Sequence, residues 1–193
     1  MFETLAACAS MAGLPYDGEP VDQLEHALQC ATLALTMTGP GDAHSLGAAD
    51  PEFVIACLLH DIARAPAVAG MATDAPGEHH GAAAARWLTP RYGARVAWLA
   101  AEHVPAKRYL VTTDPTYRDC LSPVSARTLA AQGGAMSPAE IAAFRAHPDH
   151  RLAVALRRYD DQAKVPGARV SGLDRYRPLL ASVAAGGISR TRR

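Results

Sequence analysis

The sequence lacks the features that mark several large classes of protein. It has no surplus of either charge, since Lys plus Arg and Asp plus Glu each number 19 in 193 residues. Proteins that bind nucleic acid usually carry a basic surplus for the phosphate backbone, so we expect no nucleic-acid partner. No apolar run approaches the roughly 18 residues that a membrane-spanning helix needs, so we expect no membrane partner either.

The sequence also has few cysteines, and their spacing matches no CxxC motif. Cys8, Cys30, Cys57 and Cys120 are far apart, and no two of them form a CxxC pair. Three lie in apolar surroundings, which is typical of buried free thiols in a reducing cytosol. The first ten residues, MFETLAACAS, contain an acid and no basic residue, unlike a secretory signal. These observations favour a cytoplasmic protein.

Few segments have the pattern of a β-strand. Alanine is abundant, β-branched residues are sparse, and apolar positions recur at helical spacing between Pro and Gly. The sequence therefore predicts an all-α protein, with one domain over residues 1–185 and a disordered tail over residues 186–193. The most apolar segment, EFVIACLLHDIA at 52–63, is predicted to be the buried centre, with Asp50 as N-cap and Pro51 in the first turn.

Further helices follow from the same periodicity. They are predicted over residues 21–37, 79–88, 94–104, 149–161 and 174–184. Pro105 is predicted to end the helix at 94–104, and residues 106–122 are predicted to be irregular. Ser137 and Glu140 have the spacing of a capping box, which indicates the start of another helix.

The sharpest local pattern is His60-Asp61, at the end of the most apolar helix. Burying an imidazole and a carboxylate there is costly unless they pair or bind a metal. Alone, the pair is equally compatible with a buried histidine and a capping aspartate. Other candidate ligands lie on or beside predicted helix ends: His26, His80, His103 and Asp160. Six such groups exceed the need of one ion and suit iron, manganese or zinc, so they indicate two metal ions, which Asp61 could bridge.

The other histidines are interpreted as solvated or structural. His44 lies in a Gly-rich loop, and His147 and His150 flank a proline. His79 competes with His80 for one ligand role, and we prefer His80 because it faces the apolar side of its helix.

A second group of candidates is basic or hydroxylic: Arg64, Lys107, Arg108, Ser125, Thr128 and Arg157. Together they could hold a dianionic oxyanion, although any one of them alone is better explained as part of an ordinary solvated surface. Gln132 precedes two glycines and by itself indicates a helix end. Tyr16 and Glu19, in PYDGEP, by themselves indicate a surface turn.

Several stretches together resemble a known family: YDGEPVDQLEHALQCA, LLHDIA, EHVPAKRYLV, LSPVSARTLAAQGG, LRRYDD and KVPG. The chain resembles the HD-domain mixed-valent di-iron oxygenases that cleave organophosphonates, from about Tyr16 to Tyr176. The resemblance implies an HD-domain helical bundle. It also implies two iron ions in an Fe(II)/Fe(III) pair, with a small-molecule phosphonate and O2 as partners. The oligomeric state stays open.

The resemblance also implies roles for individual residues. One iron would be held by His26, His60, Asp61 and Asp160, and the other by Asp61, His80 and His103. Phosphonate would be held by Lys107, Ser125, Thr128 and Arg157, with Arg64 and Gln132 as further substrate-binding residues. Tyr16 would cover one iron until substrate arrives, with Glu19 as its hydrogen-bond partner.

The implied reaction oxidises C1 of a 1-hydroxy-2-(amino or trimethylammonio)ethylphosphonate and cleaves its C–P bond. The products would be phosphate and either glycine or glycine betaine. HDIAR places Arg64 where the amino-substrate enzymes carry a second histidine, which leaves the amine substituent open. Two alternatives use the same ligands: an HD-type phosphohydrolase, in which metal-bound hydroxide attacks a phosphate ester, and a non-catalytic phosphonate-binding module.

Overall fold

The computed structural model describes residues 1–16, 18–36, 50–69 and 80–191, with side chains as far as residue 186. Within these ranges, helices and their connections account for the chain apart from one isolated antiparallel bridge between Pro15 and Asp22. The predicted all-α class is therefore confirmed. The α-helices are α1 Phe2–Ala9, α2 Gln23–Thr36, α3 Pro51–Leu59, α4 Pro66–Ala69, α5 His80–Tyr92, α6 Ala94–Ala101, α7 His103–Thr113, α8 Pro115–Asp119, α9 Pro123–Ala131, α10 Pro138–Ala146, α11 His150–Gln162 and α12 Arg177–Thr191. Short 3-10 helices cover Ile62–Arg64 and Leu173–Tyr176.

Helix α3 is the buried centre, as its composition predicts. Every residue from Phe53 to Leu59 is buried, and α3 packs against α2, α6, α11 and α12. Asp50 caps it by accepting hydrogen bonds from the backbone N–H groups of Glu52 and Phe53, so the predicted start is confirmed. Because α3 is surrounded by helices, the residues that follow its last turn, beginning with His60, are held inside the protein.

The boundary between α6 and α7 differs from the prediction. Helix α6 ends at Ala101, and α7 begins at His103 with Pro105 in its first turn. Proline is tolerated there because the first N–H groups of a helix have no intrahelical partner. The prediction that residues 106–122 are irregular is therefore wrong, since α7 and α8 occupy most of that stretch. His103 begins a helix instead of ending one.

Two other helix starts in the C-terminal half match simple capping rules. Ser122 accepts a hydrogen bond from the backbone N–H of Ser125 at the start of α9. Ser137 and Glu140 form the predicted capping box at the start of α10. The two caps fix the residues at which α9 and α10 begin.

The chain termini were predicted less completely. Helix α1 had no predicted counterpart, and α12 is helical to Thr191, beyond the predicted end at residue 184. The assignment of residues 1–185 to a single domain stays a prediction. No helix in the described part of the chain combines the length and apolar character that crossing a membrane requires.

Candidate functional site

The six predicted metal ligands converge on one place. They come from α2 (His26), the end of α3 (His60 and Asp61), the starts of α5 and α7 (His80 and His103) and α11 (Asp160). Their ligand atoms form two groups, one of His26, His60 and Asp160 and one of Asp61, His80 and His103. Within each group the ligand atoms lie within 4.8 Å of one another. All six side chains are buried except that of His80, which is half-buried.

Asp61 lies between the two groups. Its Oδ1 is 2.9 Å from His80 Nε2 and 3.8 Å from His103 Nε2. Its Oδ2 is 3.7 Å from His60 Nε2 and 4.0 Å from His26 Nε2. Oδ1 is buried and accepts no hydrogen bond, which is costly for a carboxylate oxygen unless a cation lies beside it. The arrangement suits a carboxylate that bridges two metal ions.

Backbone carbonyl groups fix the tautomer of three of the histidines. The Nδ1–H groups of His26, His60 and His103 donate to the carbonyl oxygens of Ala163 (2.9 Å), Cys57 (2.9 Å) and Ala100 (2.6 Å). Because a carbonyl oxygen only accepts, each ring must present an unprotonated Nε2 to the cluster. His26 Nε2 and His60 Nε2 are 3.1 Å apart, so two lone pairs meet unless a cation or proton lies beside them. The residues present therefore fit a metal ion.

The charge states also suit metal binding. Burial lowers the pKa of His26 to about 4, although Asp160 opposes the shift, and burial lowers the pKa of His103 well below its ordinary value. Burial would raise the pKa of Asp61, but His60 and His80 outweigh it and hold that pKa well below its usual range. At neutral pH, His26 and His103 are therefore neutral imidazoles and Asp61 is an ionised carboxylate, the forms that metals require.

A cleft of about 430 Å³, including its part open to solvent, lies beside the cluster. It is lined by the second metal group together with Tyr16, Glu19, Arg64, Lys107, Ser125, Thr128, Gln132, Arg157 and Lys164, among others. All eight residues predicted for the substrate or gate are thus brought to one cleft, while their individual roles stay predictions.

Lys107 is the most deeply buried cation of the cleft, at 2% exposure. Its Nζ donates to Thr128 Oγ1 at 2.9 Å and to the Ser125 carbonyl oxygen at 3.3 Å. Burial, with a further contribution from Arg157, lowers the pKa of Lys107 to about 8. The ammonium group is therefore available for an anion at neutral pH but is close to losing its proton.

Arg157 connects the cleft to the metal cluster. Its Nη1 donates to Asp160 Oδ2 at 2.7 Å, and its Nη2 lies 3.4 Å from Ser125 Oγ. It also pairs with Asp161 and donates through Nε to Tyr117 Oη at 3.0 Å. These contacts hold the guanidinium group between a metal ligand and the hydroxyl-lined side of the cleft.

Lys164 is a cleft residue to which sequence analysis assigned no role. Its Nζ lies 3.4 Å from Ser125 Oγ and 3.4 Å from Glu19 Oε1. It follows α11 in a segment that has no helical periodicity. The neighbouring Val165 is held by Gln29, which donates to the Val165 carbonyl oxygen at 2.9 Å and accepts from its N–H at 3.0 Å. Contacts between distant segments such as this one, and no local pattern, place Lys164 in the cleft.

Tyr16 lies against the metal ligands. Its ring stacks on His26 with centroids 4.1 Å apart, and its hydroxyl donates to Asp160 Oδ1 at 3.2 Å. Glu19 instead accepts from Ser122 Oγ at 2.7 Å and pairs with Lys164. Among the contacts of the described residues, Tyr16 and Glu19 are joined by a backbone hydrogen bond, and the side-chain bond implied by the resemblance is absent.

The remaining candidates lie elsewhere. Arg108, which sequence analysis grouped with the anion-binding residues, contacts Gly134 and Glu140 outside the cleft. His147 stacks on Trp98 with centroids 3.4 Å apart, a structural contact. His44 and His79 lie outside the described residues.

Comparison with known proteins adds three relatives, while no family model matches the chain. A hydroxymethylphosphonate dioxygenase of Gimesia maris is 41% identical over 179 residues, covering 88% of this chain and 81% of that protein. The [1-hydroxy-2-(trimethylamino)ethyl]phosphonate dioxygenase (glycine-betaine-forming) of Leisingera caerulea is 34% identical over 151 residues, covering 77% and 72%. An uncharacterised protein of Acanthamoeba polyphaga mimivirus is 32% identical over 172 residues, covering 87% and 74%.

Proposed function

The chain belongs to the family of phosphonate dioxygenases, and we propose that it uses O2 to oxidise a small hydroxyalkylphosphonate and cleave its C–P bond. The observation that carries the proposal is that Arg157 contacts both the group of candidate metal ligands and the adjoining cleft. It bonds to the candidate metal ligand Asp160 and reaches Ser125 in the cleft. A phosphonate held there would lie directly beside the metal cluster.

We assign two iron ions to the cluster, in the Fe(II)/Fe(III) state. One ion would be held by His26, His60, Asp160 and Asp61, and the other by Asp61, His80 and His103. Neutral imidazole and carboxylate ligands suit iron, and the two oxygens of Asp61 face different groups. Bound iron would supply the activation of O2, for which no side chain of the cleft has the chemistry.

The chain's own residues would bind and orient the substrate. The phosphonate dianion would accept hydrogen bonds from protonated Lys107, from Arg157 and from the hydroxyl groups of Ser125 and Thr128. Charge-assisted bonds of this kind are short and strong. Lys164, 3.4 Å from Ser125 Oγ, would add a third cation. A phosphonate bound in this way would have its hydroxyl-bearing carbon directed toward the six candidate metal ligands.

Three further residues of the cleft, Gln132, Tyr16 and Glu19, would bind the substrate or respond to its arrival. Gln132 Oε1 is buried without a hydrogen-bond partner, so a polar ligand atom would satisfy it. Tyr16 covers His26 and bonds to Asp160, so it would shield the cluster until substrate displaces it. Glu19, within reach of the same cleft, would accept the displaced hydroxyl group.

The charge of the cleft bears on the choice of substrate. Among the described residues, four basic side chains line it: Arg64, Lys107, Arg157 and Lys164. Glu19, its acidic residue outside the metal cluster, is already paired with Lys164. A cationic substituent would be repelled there, so we propose hydroxymethylphosphonate as the preferred substrate. The amino and trimethylammonio ethylphosphonates implied by the resemblance would then be poorer substrates.

The test is O2 uptake and phosphate release by anaerobically purified, iron-loaded protein. Hydroxymethylphosphonate is expected to give one formate and one phosphate for each O2 consumed, and faster than either ethylphosphonate. Phosphate release under argon would instead indicate a hydrolase. Tight phosphonate binding without O2 uptake would indicate a binding module. We also place the reaction in the cytoplasm, which the four free cysteine thiols support.

A further inference from the structure

Arg108 follows Lys107 directly but contacts a different part of the protein. Its Nε donates to the Gly134 carbonyl oxygen at 2.9 Å, and its Nη2 lies 3.4 Å from the Gly133 carbonyl oxygen. Nη2 also donates to Glu140 Oε1 at 2.7 Å, in the capping box that begins α10. Arg108 therefore ties α7 to the turn that joins α9 to α10.

That turn is closely fitted to the Arg108 side chain. Gly133 and Gly134 have φ angles of +97° and +66°, which residues with a side chain rarely adopt. A Cβ atom at Gly133 would lie 3.3 Å from the guanidinium carbon of Arg108. The turn directly follows Gln132, the C-cap of α9. Holding the turn therefore holds the end of the helix that carries the hydroxyl groups of the cleft.

Helix α7 reaches α9 by two routes. On the cleft side, Lys107 Nζ bonds to Thr128 Oγ1 and to the Ser125 carbonyl oxygen. An anion that binds Lys107 shares its three N–H donors with these two acceptors, so this route weakens when the cleft fills. The bonds from Arg108 to the turn lie outside the cleft and need not be exchanged.

We propose that Arg108 is a positioning residue for the anion site. It keeps α9 at a fixed distance from α7 while Lys107 shares its N–H donors between α9 and the phosphonate. The inference rests on the proposed function, because it assigns the anion of the cleft to a phosphonate. Arg108 touches neither the substrate nor the metal ligands, so its loss should weaken phosphonate binding and leave the chemical step and the iron in place.

A second contact also holds this turn, so the protein should remain folded when the Arg108 side chain is removed. The backbone N–H of Met136 donates to Thr112 Oγ1 at 2.8 Å, one turn further along α7. Met136 is itself buried at 8% exposure, in a cluster with Ala106, Phe144 and Ala153. Removing the guanidinium group of Arg108 therefore loosens the turn without releasing it.

The experiment compares R108A and R108K with the control R145A in full-length, iron-loaded protein. Arg145 is an exposed arginine of nearby α10 that donates to Tyr109 Oη and does not contact the turn. The measurements are iron content, KM and kcat for hydroxymethylphosphonate, and the Kd of methylphosphonate, an anion without the reactive hydroxyl group. R108A is expected to raise KM and Kd about tenfold, with kcat and iron within about twofold of wild type. R108K has a single ammonium group for several acceptors, so its KM and Kd should lie between those of wild type and R108A. R145A should match wild type.

Unchanged KM and Kd in R108A would overturn the proposal, as would a loss of iron or of kcat at constant KM. If R108A does not fold, E140Q and R108K test the proposal instead, because both weaken the contact between Arg108 and Glu140. Both variants must then raise the Kd of methylphosphonate. Wild-type protein that binds methylphosphonate but consumes no O2 would refute the proposed function, and the Kd comparison would still decide the role of Arg108. Wild-type protein that binds no methylphosphonate would refute both.

Discussion

Under the proposed function, the buried ammonium group of Lys107 is expected to make substrate binding depend on pH in a specific direction. Because burial and the nearby Arg157 lower its pKa to about 8, Lys107 is protonated below that pH and neutral above it. A phosphonate dianion binds the protonated form, so kcat/KM is expected to fall as the pH rises through about 8. Bound anion stabilises the ammonium form, so the corresponding fall in kcat should appear at higher pH.

The size of the effect follows from the contacts of Lys107. Its Nζ bonds to Thr128 Oγ1 at 2.9 Å and faces the cleft with 2% exposure, so an incoming anion would gain a desolvated charge-assisted hydrogen bond. Such a bond contributes about 1.5 to 3 kcal/mol. Since each 1.4 kcal/mol is about a factor of ten, K107M is expected to raise KM about 10- to 100-fold at pH 7.

The assay is the pH profile of kcat/KM for wild type, K107M and K107R, from O2 uptake at saturating iron. K107R keeps its charge throughout, so its profile should lack the fall near pH 8, as should that of K107M from its lower starting value. Any titration of the phosphonate itself remains in all three profiles and serves as the internal control. Thermal unfolding should show K107M to be no less stable than wild type, because the folded protein disfavours the ammonium form of Lys107. A fall near pH 8 that persists in K107M would refute the assignment.

Four other perturbations test separate parts of the site. D61A removes the carboxylate between the two groups and should reduce bound iron from two ions per chain to one or none, measured by metal analysis. Y16F loses the hydrogen bond to Asp160 and should increase O2 consumption in the absence of substrate; an unchanged rate would argue against a gate. R64A lowers the positive charge of the cleft and should improve kcat/KM for the trimethylammonio substrate relative to hydroxymethylphosphonate. Q29L removes both hydrogen bonds to Val165 and should lower the free energy of unfolding by about 1 to 3 kcal/mol in urea titrations. The KM should also rise, because the neighbouring Lys164 would be held less firmly in the cleft.

The parts of the fold that could be predicted are those set by neighbours in sequence. The uninterrupted apolar run of α3 requires burial on all sides, and Asp50 followed by Pro51 is a local start signal. The capping box of Ser137 and Glu140 is equally local. The positions of His60 and Asp61 follow from these features, because they come directly after the most buried helix.

The start of α7 could not be predicted from the sequence around Pro105. Proline ends a helix that precedes it but is accepted in the first turn of a helix that begins just before it. The choice depends on whether the chain breaks at Glu102, where the backbone N–H of Glu102 bonds to the Trp98 carbonyl oxygen. With the helix boundary misplaced, the directions of Lys107 and Arg108 cannot be separated, and both stand in the group of candidates for an oxyanion.

Contacts between distant segments account for the other residues that sequence analysis missed. Gln29 and Val165 are 136 residues apart, yet their paired hydrogen bonds fix the segment that carries Lys164. Glu19 is also turned away from Tyr16 by Ser122 and Lys164, which come from two other parts of the chain. Local periodicity contains no information about such pairs.

Helix α7 carries three residues with different proposed roles: His103 as a metal ligand, Lys107 as an anion-binding residue and Arg108 as a positioning residue. Residues four apart share a helix face, so His103 at the metal cluster places Lys107 at the cleft one turn away. The next residue is rotated by about 100°, which turns Arg108 toward the connection between α9 and α10. The separation between the second metal group and the anion site is therefore fixed by one turn of one helix. A 1-hydroxyalkylphosphonate, whose hydroxyl-bearing carbon is bonded directly to phosphorus, suits that short separation, whereas a phosphonate with its hydroxyl group on a more distant carbon would place that carbon away from the metal ligands.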